Sequence, residues 1–357
     1  MVAFGMGMAP AEPISKVTWV AKLAEDLGFE YFMNADQIFN GERDAFVSLS
    51  ACAMSTSRIK LGTCVSNPFS RIPGMLALSI ASLDELSGGR AVLGLGAGGA
   101  GFAQLHLDKA HSNQAIGETV AMVRGLLRGE TVNHDGKMFK LTDAQLKFAT
   151  RSDIPIIFAS RSPRNLELAG EIADGVLLAT YTTYDHLKFA IDRVRAGATK
   201  AGRRFEDVKL ISWVYTSISD DDGQQAVENV RWFVTQALIN TAPEAYPVIF
   251  KGFPPELPEY LNKCRELGRK GTEVAYKDRT HLTDEVIKRF SVAGTAEDCI
   301  AKIKEITSFG IDTVWLRCFS APRAEGEHEK VLIPFAEKVM PAFSGGANKP
   351  AVTSAAR

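Results

Sequence analysis

Hydrophobic positions change repeatedly between two periodicities along the chain, and this change predicts strands that alternate with helices. Short apolar runs are typical of buried strands, whereas apolar residues three and four positions apart are typical of one helix face. The first helical stripe comprises Ile14, Val17, Ala21, Ala24 and Leu27. The predicted strands are residues 2–8, 30–34, 59–65, 91–93, 154–159, 175–179, 208–217 and 313–319. This α/β alternation predicts a (β/α)8 TIM barrel with insertions.

Three segments depart from the alternation. Residues 130–150 contain Asp135-Gly136 between β-prone residues, a strong hairpin signal, and are predicted to be an excursion from the barrel. Residues 241–292 are rich in proline, glycine and charge, so we expect a long insertion before the eighth strand that acts as a lid. The tail, 344–357, is predicted to be disordered. Residues 1–343 are therefore expected to form a single barrel domain.

Composition and charge argue against several classes of protein. The 357 residues carry a formal net charge of -1 and no basic stripe, so no nucleic-acid partner is expected. No apolar run is long enough for a membrane span, and the N-terminus lacks the features of a signal peptide. The five cysteines form no C-x-x-C pair, which favours reduced thiols and a cytoplasmic protein. The six histidines show no zinc-type spacing, so no metal is expected.

A glycine-rich run follows the fourth predicted strand directly. Bare backbone amides in such a run let a flat or anionic ligand approach closely. Gly94, Gly96 and Gly99 match the dinucleotide motif G-x-G-x-x-G. That motif requires a helix directly behind it, but residues 102–110 show no helical face, and the acidic residue about 20 positions on, Glu118, lies mid-helix. A cofactor loop in a barrel is therefore favoured over a dinucleotide site.

Several polar side chains lie where predicted strands end, which is where TIM barrels hold their catalytic groups. Asp36 is a candidate acid, base or ring-orienting group, or alternatively the N-cap of the next helix. Cys64 has no histidine nearby in sequence, so packing is favoured over a nucleophilic role. Asn67, before Pro68, is either a turn residue or a ligand. Arg161 either pairs with a phosphate or caps a solvent-facing loop.

Several stretches resemble one protein family. They are Leu83-Asp84-Glu85-Leu86-Ser87-Gly88-Gly89-Arg90, Gly94-Leu95-Gly96-Ala97-Gly98, and residues 23–31, 60–73, 167–177 and 293–299. Together they resemble the bacterial-luciferase-like superfamily of flavin and deazaflavin oxidoreductases. Within it they are most similar to methylenetetrahydromethanopterin reductase-like, F420-dependent enzymes. The resemblance covers nearly the whole chain except residues 243–292 and implies a luciferase-like TIM barrel.

The resemblance also implies a tricyclic cofactor across the barrel mouth, either the deazaflavin coenzyme F420 (also written F-420) or FMN. It implies a cis peptide bond between Cys64 and Val65, behind the central ring of the cofactor. The loop after the fifth strand would supply amides and hydroxyls to the cofactor phosphate. The cofactor-binding residues that it implies are Cys64, Val65, Asn67, Gly96, Ala97, Gly98, Gly99, Ala159, Ser160, Arg161 and Ser162.

Two positions depart from the family pattern. The reductases usually carry an acidic residue late in the first strand, where this chain has Gly7. They usually carry Asp-His at the end of the second strand, where this chain has Asp36-Gln37. Glutamine forms hydrogen bonds but does not shuttle a proton near neutral pH. Asp36 and Gln37 are therefore the catalytic candidates, and we expect a substrate other than the pterin.

Three functions are compatible with these residues. The first is an F420- or FMN-dependent oxidoreductase that transfers a hydride between the ring and a small organic substrate. The second is an FMN-dependent luciferase-like monooxygenase that uses O2 and reduced flavin from a separate flavin reductase. The third is a non-catalytic flavin-binding paralogue. We expect the protein to form a homodimer or homotetramer.

Overall fold

A computed structural model describes residues 1–39, 41–99, 101–179, 182–324 and 326–344. Its strands are β1 (Ala3–Met8), β2 (Tyr31–Asn34), β3 (Lys60–Thr63), β4 (Ala91–Leu95), β5 (Val132–Asp135), β6 (Lys140–Ala144), β7 (Ile156–Ser160), β8 (Gly175–Ala179), β9 (Lys209–Ile218), β10 (Val292–Gly294) and β11 (Thr313–Cys318). Its helices are α1 (Ile14–Asp26), α2 (Ala45–Ser55), α3 (Pro73–Ser87), α4 (Ser112–Leu127), α5 (Pro163–Ile172), α6 (Tyr184–Lys200), α7 (Gly223–Ile239), α8 (Tyr246–Ile249), α9 (Glu256–Glu266), α10 (Arg269–Lys277), α11 (Asp284–Arg289), α12 (Ala296–Thr307) and α13 (Glu329–Pro334). Within the described ranges, every helix is too short or too polar to cross a lipid bilayer. Apart from Ser344, the tail predicted to be disordered lies outside the described residues.

Parallel strands form a closed barrel with surrounding helices, which confirms the predicted (β/α)8 fold. Around the barrel the order is β1-β2-β3-β4-β7-β8-β9-β11, and β11 neighbours β1. These strands were found from sequence because parallel strands buried on both faces appear as continuous apolar runs. A short additional strand, β10, pairs in parallel with β9. The sequence pattern did not predict β10, because its 3 residues are too few to show a periodicity.

Contacts within the chain cluster into two compact units. Unit A comprises Gly5–Leu177 and Arg193–Leu210. Within it β2 pairs with β1 and β3, and β4 pairs with β3 and β7, all in parallel. Unit B comprises Met1–Phe4, Leu178–Asp192 and Ile211–Arg357. The residues of the predicted cofactor site all belong to unit A.

Helix α3, in unit A, shows how the sequence pattern fixes an element. Leu76, Ile80 and Leu83 are almost completely buried, whereas Leu86, at helical spacing from Leu83, remains 47% exposed. The helix ends at Gly88, which has a φ of 69°. Glycine adopts this left-handed conformation without a steric penalty, so it is the usual residue just past a helix end. The periodicity therefore identified the buried face of α3, and the glycines identified its end. The periodicity did not show that Leu86 would stay exposed.

Strands β5 and β6 form an antiparallel hairpin, which confirms the hairpin predicted within residues 130–150. The carboxylate of Glu118, in α4, binds the turn of this hairpin. Glu118 accepts hydrogen bonds from the backbone N–H groups of Lys137 and Phe139 at 3.1 and 3.0 Å and lies 3.3 Å from His134 Nε2. Burial alone would raise the pKa of Glu118, but the hydrogen bonds from the hairpin outweigh it and lower the pKa.

In unit B, the predicted insertion folds as the helices α8 to α11 and packs against α7 in one apolar cluster. Its buried members in that cluster are Ile249, Phe250, Leu257, Leu261, Cys264, Ala275, Leu282, Val286, Ile287 and Phe290. A segment with so many buried apolar side chains is held by its own packing. Its action as a lid stays a prediction.

Asp278 organises the turn after α10. Its carboxylate accepts hydrogen bonds from the backbone N–H groups of Thr280 and His281 at 2.6 and 2.8 Å, and its Oδ2 lies 3.0 Å from His281 Nδ1. Burial alone would raise the pKa of Asp278, but these bonds outweigh it and lower the pKa to about 2.

We expect Asp278→Asn to lower the free energy of unfolding by about 2 kcal/mol at neutral pH. Because the folded-state pKa lies below the unfolded value, the ionised carboxylate stabilises the fold above about pH 4. That stabilisation is lost as the pH falls towards the folded-state pKa, so the difference between wild type and variant should shrink in acid. Urea denaturation at several pH values measures this difference, with the exposed Asp153→Asn as control. An equal loss at every pH would contradict the expectation.

Candidate functional site

The predicted site residues follow four neighbouring strands of unit A. Strands β2, β3, β4 and β7 are adjacent in this order and parallel, so their carboxyl ends lie together. The residues that follow them are, in order, Asp36 and Gln37, then Cys64, Val65 and Asn67, then Gly96, Ala97, Gly98 and Gly99, and finally Arg161 and Ser162. Leu95 of β4 pairs in register with Phe158 of β7. The glycine run and the loop after β7 therefore lie at the same end of the barrel, as predicted.

Glycine recurs on one face of these strands near their carboxyl ends, and we call this face the glycine floor. Residues paired in register project to the same face, as does every second residue along a strand. The pairings of β1 with β2, β2 with β3, β3 with β4, and β4 with β7 place eight residues on this part of the face. They are Gly7, Met33, Gly62, Val92, Gly94, Gly96, Ile157 and Ala159. A Cβ atom built at Gly62 or Gly94 would lie 2.0 or 1.9 Å from a backbone carbonyl oxygen. Glycine is therefore required at both positions, because any side chain there would collide with the backbone of the neighbouring strand.

Val65 forms the border of the glycine floor. The peptide bond between Cys64 and Val65 is cis, which confirms the prediction from the resemblance. A Cβ atom built at Gly96 would lie 2.6 Å from Val65 Cγ2 and 3.6 Å from the carbonyl oxygen of Ala159. Gly96 is therefore the position at which β4 makes room for the Val65 side chain. Cys64 is half-buried.

Asn67 is a turn residue, which was one of the two interpretations that the sequence allowed. Its side chain is buried, and its Oδ1 accepts hydrogen bonds from the backbone N–H groups of Phe69 and Ser70 at 3.1 and 2.9 Å. A Cβ atom built at Gly98 would lie 2.8 Å from Asn67 Cγ, so Asn67 supports the glycine run from behind. Gly98 and Gly99 are themselves exposed. The run thus presents open backbone to solvent and packs on its other side.

The start of α5 fits an anionic group. Ser160 Oγ accepts a hydrogen bond from the backbone N–H of Ser162 at 3.2 Å, and Ser162 Oγ caps the helix by accepting from Asn165 N–H at 3.4 Å. Both hydroxyls keep a proton that can be donated to a phosphate oxygen. Helix N-termini bind phosphates through backbone N–H groups and the helix dipole. Arg161 and Arg164 are exposed beside them and add positive charge.

The carboxylate of Asp36 is held by two side chains from the loop after β3. Its Oδ2 accepts hydrogen bonds from Ser66 Oγ at 2.5 Å and from Arg71 Nε at 2.7 Å, and its Oδ1 accepts from Arg71 Nη2 at 2.9 Å. Only 5% of the Asp36 side chain is exposed. The alternative interpretation of Asp36 as a helix N-cap is wrong, because Asp44 caps α2 and accepts from Val47 N–H at 3.0 Å.

Arg71 links the carboxylates of Asp36 and Asp44, since its Nη2 also donates to Asp44 Oδ2 at 2.5 Å. Burial alone would lower the pKa of the Arg71 guanidinium, but hydrogen bonds and charge from Asp36 and Asp44 outweigh it and raise the pKa. Burial alone would likewise raise the pKa of Asp44, and the bonds from Arg71 and the helix lower it. With both oxygens of Asp36 bonded to Arg71, an orienting role suits this carboxylate better than proton transfer. A catalytic role for Asp36 or Gln37 stays a prediction.

Ser66 and Arg71 were missed by the sequence interpretation. Arg71 and Asp36 are separated by 35 positions, so no local pattern connects them. The only signal was their place in loops that follow adjacent strands. Both residues belong to the 60–73 stretch that carries part of the family resemblance.

The first stretch of the resemblance, residues 83–90, lies at the opposite end of β4 from the glycine run. Asp84 accepts hydrogen bonds from Ala91 N–H at 3.1 Å and from Arg151 Nε and Nη2 at 3.0 and 2.8 Å. Arg90 donates to backbone carbonyl oxygens before β3, including that of Ile59 at 2.8 Å. These residues therefore fix the amino end of β4, and their role is structural.

Known proteins that are similar to this chain bear on the site. A family model described as luciferase-like monooxygenase matches residues 2–313. A 5,10-methylenetetrahydromethanopterin reductase from Methanolobus tindarius is 34% identical over 316 residues, which span 88% of this chain and 93% of the reductase. An F420-dependent glucose-6-phosphate dehydrogenase from Gordonia bronchialis is 26% identical over 82% of this chain and 84% of the dehydrogenase. The solved structure of the coenzyme F420 dependent tetrahydromethanopterin reductase from Methanopyrus kandleri has a TM-score of 0.82 and 28% identity, over 96% of this chain and 99% of that one.

The match to the family model extends over most of the chain, and the M. tindarius reductase exceeds 30% identity over nearly its full length. The resemblance found in the sequence is thereby confirmed. The chain belongs to the luciferase-like monooxygenase family and is an oxidoreductase of that family.

Proposed function

We propose that this protein is a coenzyme F420-dependent oxidoreductase that transfers a hydride between the deazaflavin ring and a small organic substrate. One observation carries the proposal: the ends of β4 and β7 combine the exposed backbone of Gly98 and Gly99 with a serine-bearing helix N-terminus. A flat ring suits the first, and a phosphate suits the second. The relatives support the cofactor, because the M. kandleri reductase and the G. bronchialis dehydrogenase are both F420-dependent by name.

The residues of unit A divide into two groups that would hold the cofactor. The backbone of Gly96, Gly98 and Gly99 would face the ring, with Val65 at its border. The hydroxyls of Ser160 and Ser162, with the first turn of α5, would bind the phosphate. A bound deazaflavin supplies the hydride chemistry, and the protein supplies orientation and electrostatics. FMN carries the same two chemical parts and fits the same residues.

Gln37 is the polar group that we place at the substrate. It directly follows Asp36, which Arg71 and Ser66 hold in place, so the backbone of Gln37 is anchored. Its amide can donate and accept hydrogen bonds without changing charge. Gly7, on the glycine floor, brings no carboxylate where the reductases usually have one. A substrate other than the pterin is therefore proposed, oriented by hydrogen bonds from Gln37.

The absorbance spectrum and mass of any cofactor that copurifies test this proposal first. Apoprotein is then titrated with F420 and with FMN, and turnover is followed in two assays. We expect anaerobic oxidation of reduced F420 in the presence of a small carbonyl or imine acceptor. Oxygen-dependent turnover of reduced FMN alone would instead support the monooxygenase alternative. Binding without turnover across an acceptor panel would favour the non-catalytic alternative, and absence of binding would overturn the proposal.

We also propose that the protein is a homodimer that pairs through the outer faces of α2 and α3. These adjacent helices, with the residue before α3, expose the apolar side chains of Val47, Met54, Ile72, Met75, Leu78 and Leu86. Exposed apolar groups clustered in this way mark an interaction surface. Helix α2 contains no charged residue, and neither does α3 before Asp84. A neutral apolar surface suits pairing with its own copy, because no like charges oppose each other across a two-fold axis.

We expect Met75→Glu combined with Leu78→Glu to convert the dimer to monomer, because the two new charges would be buried against their copies. Sedimentation equilibrium measures the change. Leu267→Glu, at an exposed leucine of unit B, is the matched control and should leave the dimer intact. A wild-type monomer at micromolar concentration, or an unchanged mass in the double variant, would contradict this proposal.

A further inference from the structure

Phe102 is a buried aromatic residue in an exposed loop directly after the glycine run. Its side chain is 6% exposed, whereas Ala103, Gln104 and Leu105 are all exposed. Its ring meets that of Phe69 edge to face, with 5.9 Å between the ring centroids. Its backbone N–H donates to the carbonyl oxygen of Gly99 at 3.3 Å. Phe102 therefore anchors this loop to the loop after β3.

The ring of Phe102 also supports the glycine run itself. Gly98 has a φ of 66°, and a Cβ atom built there would lie 2.6 Å from Phe102 Cζ and 2.8 Å from Asn67 Cγ. Asn67 is fixed by the two backbone N–H groups that it accepts. The backbone of Gly98 is thus packed against an aromatic ring and an amide group on one side and open to solvent on the other.

A second contact ties the same loop to the end of β2. Gly101 has a φ of 77°, and a Cβ atom built there would lie 2.2 Å from the carbonyl oxygen of Ile38. Phe102 is the next residue, and its own carbonyl oxygen accepts from Leu107 N–H at 2.9 Å. The loops after β2 and β3 therefore meet the loop after β4 at two adjacent residues, Gly101 and Phe102.

We infer that Phe102 is a positioning residue for the cofactor, because its ring packs against Gly98 and its backbone N–H holds the carbonyl oxygen of Gly99, which together fix the run that would contact the ligand. Preorganised loops bind more tightly, since ordering them costs nothing at the moment of binding. Phe102 itself lies behind the glycine run and would act through it. The identity of the ligand rests on the proposed function, whereas the order of the loop does not.

The test compares two substitutions at Phe102 with a control. Phe102→Ala removes the ring, and Phe102→Tyr adds a hydroxyl on Cζ, the atom that faces Gly98. Phe29→Ala removes an equally buried ring that precedes β2, at the other end of that strand. Amide hydrogen exchange of residues 97–111 is measured on each apoprotein. Dissociation constants for F420 and FMN are then measured at a temperature at which all variants are folded.

We expect Phe102→Ala to raise amide exchange at positions 102 and 107, whose N–H groups donate to Gly99 and Phe102, at least tenfold and to weaken cofactor binding at least tenfold. Phe102→Tyr should also weaken binding, because the hydroxyl would be forced against Gly98. Phe29→Ala should lower the melting temperature but leave exchange at positions 102 and 107 and cofactor affinity unchanged. Unchanged exchange in Phe102→Ala would overturn the inference. If wild type bound neither cofactor, the proposed function would fail, and the exchange data would still decide the role of Phe102.

Discussion

Replacing Arg71 by methionine is expected to lower the free energy of unfolding by about 3–5 kcal/mol, the usual cost of removing one partner of a buried ion pair. The variant would leave the carboxylate of Asp36 buried beside the Ser66 hydroxyl, without the guanidinium that balances its charge. It would also remove the link from Asp36 to Asp44, the N-cap of α2. Urea denaturation with a common slope for both proteins measures the change.

Two further variants show whether this loss comes from the ion pair. Arg71→Lys keeps the charge but not the bidentate geometry, so an intermediate loss is expected. Arg71→Met combined with Asp36→Asn removes both charges and should be less destabilising than the sum of the two single changes. The control is Arg128→Met, whose pair with Glu130 lies at 2.6 Å but is about half exposed on both sides. It should leave the denaturation midpoint almost unchanged, because exposed ion pairs contribute little. A loss for Arg71→Met no larger than that of Arg128→Met would contradict the expectation.

Asp36 illustrates what the sequence could reveal about the site. The rule that TIM barrels hold functional groups at strand ends located Asp36 correctly at the end of β2. Its environment depends on Ser66 and Arg71, which follow β3 and enter the site only once β2 and β3 pair. Periodicity predicts that both strands exist, but the side chains that meet across two loops depend on loop conformation. For this reason Asp36 was predicted and Arg71 was not.

The third strand shows the same limit at an element boundary. The apolar run from Ile59 to Val65 predicted a strand of that length, but β3 ends at Thr63. The chain then turns through the cis bond between Cys64 and Val65, a feature that no local rule favours in the absence of proline. Only the family resemblance pointed to it. Periodicity thus identified β3, and tertiary context set where it ends.

Ser162→Asp should weaken FMN and F420 binding about 100-fold or more while leaving the protein folded. Aspartate is as good an N-cap as serine, and a negative charge at a helix N-terminus is favourable, so α5 should keep its cap. The new charge would lie where we place the cofactor phosphate. Like charges brought together in a binding interface cost several kcal/mol, and each 1.4 kcal/mol is about tenfold in affinity.

Riboflavin and FMN, which differ by one phosphate, separate this charge effect from a structural one. Fluorescence titration should show that Ser162→Asp weakens FMN binding strongly and riboflavin binding little. Ser162→Asn caps the helix without charge and should bind FMN within about tenfold of wild type. Thr295→Asp also introduces an aspartate at a helix N-cap, that of α12, and should leave the affinities for FMN and riboflavin unchanged. Equal weakening of riboflavin and FMN by Ser162→Asp would show that the start of α5 shapes the ring site instead of binding the phosphate. Unchanged FMN affinity would move the phosphate away from α5, and the roles proposed for Ser160 and Ser162 would then be wrong.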